Sequence, residues 1–257
     1  MSEYINHLYN LKNKVVLITG SSGQLGSALC KSYLDLGSIV IGIDNLKPSK
    51  GIKNVNYFIK DVSNEKGIQN LFEEIYKKFG SIDILINNAG VSIFSPFQKR
   101  TNEELDFVID TNLKGSFYFI KEFSNFSKSK NSNYSNIVNI ASMYGVISPD
   151  FRIYSKGDRK NSEIYGATKA AIIQMTKYFA VHLAERKIRV NCVSPGGIFN
   201  QENPQSDSFI KNYSFRCPLN RMANVKEIIG GIIFLSSDAA SYVTGQNLII
   251  DGGMSCW

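Results

Sequence analysis

Short runs rich in β-branched residues alternate along this chain with segments of helical apolar spacing, and no other feature of the sequence restricts the fold as much. The strand-like runs lie at 15–19, 39–44, 56–59, 84–87, 136–140, 189–194 and 247–251. The helical segments between them lie at 24–36, 65–79, 102–127, 162–186 and 225–235. Parallel strands joined through helices need right-handed crossovers, and successive crossovers bury both faces of the sheet. The pattern therefore predicts an α/β fold in three layers, doubly wound around a seven-stranded parallel sheet. At 257 residues, with no internal repeat and no Pro/Gly/Ser linker, the chain is expected to be a single domain spanning 1–257. Two polar stretches, 147–163 and 199–221, follow strands and show neither period, so both are expected to overhang the ligand edge, one as an insertion and one as a lid.

Bulk properties narrow the function. The apolar runs fall short of the roughly 20 residues needed to cross a bilayer. The first residues, MSEYINHLYNLKNK, lack the basic start, apolar run and small-residue cleavage site of a secretory signal, so a cytoplasmic location is expected. Cys30, Cys192, Cys217 and Cys256 are widely separated and only His7 and His182 could assist them, which argues against a metal site and against disulfides. The net charge of +7 comes from scattered lysines with no dense basic block, so nucleic acid is not the expected partner and an anionic small molecule is.

The first strand runs directly into GSSGQLG, placing Gly20, Gly23 and Gly26 between a strand and a helix with Ser22, Gln24 and Leu25 in the same loop. In that context Gly20 permits the turn, Gly23 lets backbone approach a pyrophosphate, and Gly26 lets helix and sheet close, as in a Rossmann dinucleotide site. A tight turn without a ligand would use the same glycines. Asp44 ends the second strand where an acid would hydrogen-bond the adenosine ribose and repel a 2′-phosphate, which predicts NAD(H) over NADP(H). The plainer alternative is an Asx turn at the strand end.

YGATK puts Tyr165 and Lys169 four apart, on one face of a predicted helix. A phenol has an unperturbed pKa of about 10, and a neighbouring ammonium would lower it, so the pair reads as an acid/base with Lys169 also holding a nicotinamide ribose. As an isolated spacing the pair would mark only a helix face.

Taken in order, TGSSGQLG, Asp61-Val62, NNAG at 87–90, Asn112, NIAS ending at Ser142, YGATK and PGG at 195–197 resemble the short-chain dehydrogenase/reductase family over nearly the whole chain. The resemblance implies that Ser142 hydrogen-bonds the substrate oxygen, Tyr165 passes the proton, Lys169 binds ribose and Asn112 holds a relay water. It further implies that Asp61 and Val62 contact adenine, that Asn88, Ala89 and Gly90 line the cofactor, and that Pro195, Gly196 and Ile198 lie by the nicotinamide. Gln24 departs from the glycine pattern of the simpler members. The stretch between Ser142 and Tyr165 is longer than usual.

That insertion carries Arg152, Tyr154, Lys156, Arg159 and Lys160, candidates for clamping an anionic or sugar-bearing substrate unless they merely keep a surface loop solvated. With Phe199 and Arg216 in the lid they complete the expected substrate contacts. SMYGVISPDFRIY, PGGIFNQ and DGGMSCW are similar to the flagellin modification protein A branch, associated with amino-sugar precursors of nine-carbon acidic sugars in surface glycans. This implies hydroxyl/ketone redox chemistry on an amino sugar, sugar phosphate or nucleotide sugar. A 3-oxoacyl-thioester reductase, a general alcohol dehydrogenase and a non-catalytic dinucleotide-binding scaffold remain open. Apolar positions on several faces of 102–127 and 162–186 match the family's habit of pairing such helices in a homodimer or homotetramer.

Overall fold

The computed structural model describes residues 3–48, 51–126 and 135–257. Seven parallel strands form one sheet in the order β3-β2-β1-β4-β5-β6-β7, with β1 Val15–Thr19, β2 Ile39–Asp44, β3 Asn56–Ile59, β4 Ile84–Asn87, β5 Ser135–Ile140, β6 Ile188–Pro195 and β7 Asn247–Ile250. The direction of winding reverses between β1 and β4, and the crevice beyond their carboxyl ends is where ligands bind in sheets of this type.

Strand alternation divides the apolar residues between two cores. Val15, Leu17, Ile41, Leu85 and Ile137 face one side, where α3 Glu65–Phe79 and α5 Gly115–Phe126 bring Ile68, Phe72, Phe119 and Phe123, and α6 Glu163–His182 brings Ala180. Val16, Ile18, Val40, Ile86 and Val138 face the other, against Leu29 and Tyr33 of α2 Gln24–Asp35 and Ile228 and Ile232 of α8 Val225–Ser236. Each such fully buried aliphatic or aromatic side chain contributes roughly 1.5–3 kcal/mol. Caps fix the helix ends. Asn64 accepts from Gly67 N at the start of α3, and left-handed Gly80 ends it. Asn224 and Glu227 form a capping box on α8.

Two expectations are corrected here, and one further helix was not foreseen. The segment read as one helix over 102–127 is α4 Asn102–Ile109, a π-helical stretch Asp110–Lys114 and then α5, while position 127 falls outside the described residues. The segment 199–221 contains helix α7 Asp207–Arg216, and Ile198 pairs with Ala223 across its base. Helix α1 Glu3–Leu8 buries none of its residues, so its sequence carried no apolar period to detect. The insertion 147–163 holds only a single 3-10 turn, Phe151–Ile153, and a third apolar cluster ties it to α7 through Ile153, Tyr154 and Tyr213. Among the described residues no helix is long and apolar enough to cross a membrane, and no group of His, Cys, Asp or Glu could hold a metal ion.

Candidate active site

At the carboxyl edge of the sheet two lobes of about 570 and 580 Å³ meet at Gln24, Leu25, Asn88 and Gly90. The first is lined by Gly20, Ser22, Gly23, Gln24, Leu25, Gly26, Asp44, Asp61, Val62, Asn88, Ala89 and Gly90. The second is lined by Ser142, Tyr154, Arg159, Tyr165, Lys169, Pro195, Gly196 and Ile198 together with residues of the insertion and lid.

Backbone geometry makes the first lobe. Gly20 has φ +65°, and a Cβ there would sit 2.8 Å from Ala89 Cα. A Cβ on Gly26 would strike the Gly20 carbonyl oxygen, so α2 leaves β1 at a distance only glycine allows. At Gly23, by contrast, the nearest atom to an added Cβ is 3.5 Å away, so glycine there leaves open space rather than relieving a clash. Thr19 Oγ1 accepts from Asn88 N and Ala89 N, both at 3.0 Å, and Asn88 Nδ2 donates to Thr19 O at 2.9 Å. These bonds lock the loop after β4 to the glycine turn. Thr19 was not singled out in the sequence, although its place immediately before Gly20 was the available signal.

Asp44 Oδ2 accepts from Ser22 N at 2.9 Å and Oδ1 from Leu46 N at 3.2 Å. The carboxylate is thus aligned at the mouth of the lobe with lone pairs to spare. The contact with Leu46 N two residues on is itself an Asx turn, so both sequence readings of Asp44 describe the same residue. The open face at Gly23, the α2 N-terminus and the seated acid fit a dinucleotide with its pyrophosphate at the helix end and its ribose at Asp44.

In the second lobe, Ser162 caps α6 by accepting from Tyr165 N at 3.4 Å, and the helix presents Tyr165 and Lys169 together. Lys169 Nζ lies 5.6 Å from the Tyr165 ring centroid and donates to Ile140 O at 2.8 Å. Burial pushes the ammonium down to about 8. The Tyr165 phenol moves up from its ordinary value because burial outweighs its hydrogen bond with Ser142. The expected lowering by Lys169 does not appear: burial of the phenol sets the direction, and the Ser142 bond is what opposes it. The Ser142 hydroxyl bonds Tyr165 on one side and accepts from Tyr144 N at 3.1 Å on the other.

Asn112 does not line the cavity. It sits in the π-helical stretch with its side chain accepting from Val91 N at 2.8 Å and donating to Val91 O at 3.0 Å and Thr168 Oγ1 at 3.2 Å. It therefore braces the 88–91 loop against α6, and widened helical turns of this kind recur at functional sites.

The expected substrate contacts divide. Tyr154 and Arg159 line the lobe, and Arg159 lies over the Phe94 ring at 5.9 Å. Arg152 points into solvent, its side chain 86% exposed, and pairs with Asp150 at 2.7 Å. Arg216 pairs with Asp150 at 3.5 Å and donates to Trp257 O at 2.9 Å, outside the cavity. Phe199 contributes only its carbonyl, which accepts from Gln24 Nε2 at 2.6 Å. A local carboxylate two residues earlier in sequence captures Arg152, which charge counting alone does not reveal.

Comparison with known proteins agrees with this geometry. A family model described as Enoyl-(Acyl carrier protein) reductase matches residues 43–255. A 3-oxoacyl-(acyl-carrier-protein) reductase of Thermotoga maritima is 35% identical over 95% of this chain and 98% of its own length. The chain belongs to the short-chain dehydrogenase/reductase family. It is an oxidoreductase of the CH–OH type within that family. A post-translational flagellin modification protein A of Campylobacter coli is 28% identical over 95% of this chain and 98% of its own. A short-chain dehydrogenase of Leptospira borgpetersenii, solved with bound NAD+, superposes with a TM-score of 0.90 at 42% identity, covering 99% of this chain and 96% of that one.

Proposed function

We propose that this short-chain dehydrogenase/reductase prefers NAD(H) and interconverts a hydroxyl and a ketone on an amino sugar, sugar phosphate or nucleotide sugar of the kind used for surface glycans. The observation that carries the reading is the lining of the substrate lobe. Asn161, Asn200, Asn203, Gln205, Asp158 and Arg159 face a cavity that a greasy acyl chain would leave unsatisfied. Arg159 stands at its entrance, exposed and with no carboxylate paired to it among the described contacts, as an anionic substituent would require.

A nicotinamide cofactor held by the first lobe would supply or take up the hydride. Around it, Ser142 Oγ holds the substrate oxygen, the Tyr165 hydroxyl gives or takes its proton, and the Lys169 ammonium, anchored on Ile140 O, spares its remaining hydrogens for the ribose. Asn112 keeps Val91 and Thr168 in place behind them. Seated on two backbone N–H groups, Asp44 favours a free 2′-hydroxyl over a phosphate. Residues 1–257 act as one catalytic unit, and a homodimer or homotetramer is expected from exposed Phe117 on α5 and Tyr178 and Val181 on α6.

One observation favours a second reading, reduction of a 3-oxoacyl thioester. An apolar groove of about 940 Å³, with Phe94, Phe97, Val146 and Phe151 in its wall, adjoins the substrate lobe and shares Phe94 and Tyr144 with it. Parallel assays with amino-sugar phosphates plus NAD+ and with an acetoacetyl thioester plus NADH separate the two. Turnover of the thioester alone would replace the sugar reading. Absence of all turnover alongside tight NAD+ binding would favour a scaffold.

A further inference from the structure

Two phenols in the substrate lobe stand outside the proton-transfer machinery. Tyr144 and Tyr154 both line the cavity, and their hydroxyl oxygens are 3.1 Å apart. Neither hydroxyl is free to wander. Tyr144 follows Ser142 by two residues and donates its backbone N–H to Ser142 Oγ at 3.1 Å. Its short helical turn, Met143–Gly145, is pressed onto α6: a Cβ on Gly145 would lie 2.7 Å from the Lys169 carbonyl carbon, and one on Gly166 would lie 2.9 Å from the Tyr144 carbonyl oxygen. Tyr144 is therefore held in one frame with Ser142, Tyr165 and Lys169. Tyr154, 9% exposed, packs its ring 5.2 Å from that of Phe209 on α7. Asn161 stands beside the Tyr154 hydroxyl, with its own Oδ1 accepting from Ser92 Oγ at 3.0 Å.

Proton counting on this pair leaves a remainder. Each phenol has one hydrogen to give and two lone pairs to receive with. The bond between them uses one hydrogen, whichever donates. Among the described residues no other acceptor bonds either hydroxyl, so one O–H hydrogen of the pair is unclaimed. Water answers such a donor until a ligand displaces it, and a ligand that cannot accept the hydrogen forfeits that bond. Burial holds both phenols above their ordinary pKa, so the hydrogen is present at any assay pH.

Resting on the hydroxyl/ketone reading above, we propose that the Tyr144–Tyr154 pair is a specificity-determining element, donating its spare hydrogen to a second substrate oxygen held beside the one that reacts. The substrate class that follows is a hydroxyketone and its polyol, not a monofunctional ketone or alcohol. A site that offers a buried donor discriminates strongly against analogues that cannot receive it.

The test is reduction by NADH of three small ketones: acetoin, 4-hydroxy-2-butanone and 2-butanone. The wild-type enzyme is expected to favour at least one hydroxylated ketone by about tenfold in kcat/KM, mostly through KM. Tyr144→Phe and the double variant with Tyr154→Phe should lose most of that preference. Tyr154→Phe alone should lose less, because the Tyr144 hydroxyl still stands beside Ser142. No preference in the wild type, or a preference that survives the double variant, overturns the proposal. If none of the three ketones is reduced, the hydroxyl/ketone reading is what fails, and the pair is then read by NMR of ring-13C-tyrosine protein with NADH bound. Signals assigned through the two single variants should move with a hydroxylated ketone and not with 2-butanone. Equal movement, or none, overturns the proposal.

Discussion

The two lobes of the cleft are built by different means. Around the glycine turn the walls are main chain: Gly20 and Gly26 sit where any side chain collides, and Thr19 and Asp44 bind backbone N–H groups. Around Ser142 the walls are side chains recruited from two excursions of the chain. Tyr154 stacks near Phe209, Ser206 donates to Asp158 at 2.6 Å, Asn212 donates to Ile153 O at 3.2 Å, and Arg216 pairs with Asp150. A lobe made of backbone admits one ligand class across many sequences. A lobe made of side chains can be rebuilt for a new substrate without disturbing its neighbour.

If that division is real, damage should stay on its own side. The largest effect belongs to Tyr165→Phe, which should cut turnover about a thousandfold. NAD+ affinity, measured by fluorescence titration, should stay within about threefold, and a comparable collapse in affinity would erase the division. Gly26→Ala should weaken NAD+ binding by about a hundredfold, because the new methyl must push the Gly20 carbonyl aside, at the overpacking cost of about 1–3 kcal/mol. Near-normal binding would mean the turn is softer than its contacts indicate.

Asp44→Asn should shift the NAD+/NADP+ preference by about tenfold toward the phosphorylated cofactor, seen in paired dissociation constants. A pH series sharpens the contrast from the substrate side. Lys169 titrates near 8, so ketone reduction should fall as pH rises through that value and the ammonium is lost. Because the folded pKa lies below the unfolded one, the folded state binds fewer protons between about 8 and 10.5, and this residue's contribution to stability rises with pH across that window. Lys169→Met should accordingly raise Tm at pH 7 by a few degrees while turnover falls, though by less than in Tyr165→Phe. The smallest effect is expected from Asp158→Ala, which frees Ser206 at the start of α7 and should raise KM about threefold with no change in cofactor affinity.

The two lobes also differed in how far the sequence disclosed them. The glycine spacing, the acid at the end of β2 and the Tyr165–Lys169 pair are local patterns, and helices on both faces of a parallel sheet follow from right-handed crossovers once the strands are found. Helix α7 escaped because only Tyr213 within it is buried, which leaves no apolar stripe, although Ser206 followed by Asp207 was a readable helix start. The π-helical stretch at Asp110–Lys114 escaped because one extra residue per turn does not alter the composition of a helix. Tyr144 lay in plain view two residues after Ser142, but only its 3.1 Å approach to Tyr154 distinguishes it from an ordinary loop aromatic. Arg152 failed as a substrate contact for the opposite reason: its nearest partner, Asp150, is local, and the charge it carries is already spent there.

Gln24 opens α2, and its amide reaches the Phe199 carbonyl across the cleft. That single bond joins the floor of the cofactor lobe to the start of the segment bordering the substrate lobe, and Gln24 itself lines both. A substitution at this one position therefore reaches both ligands at once.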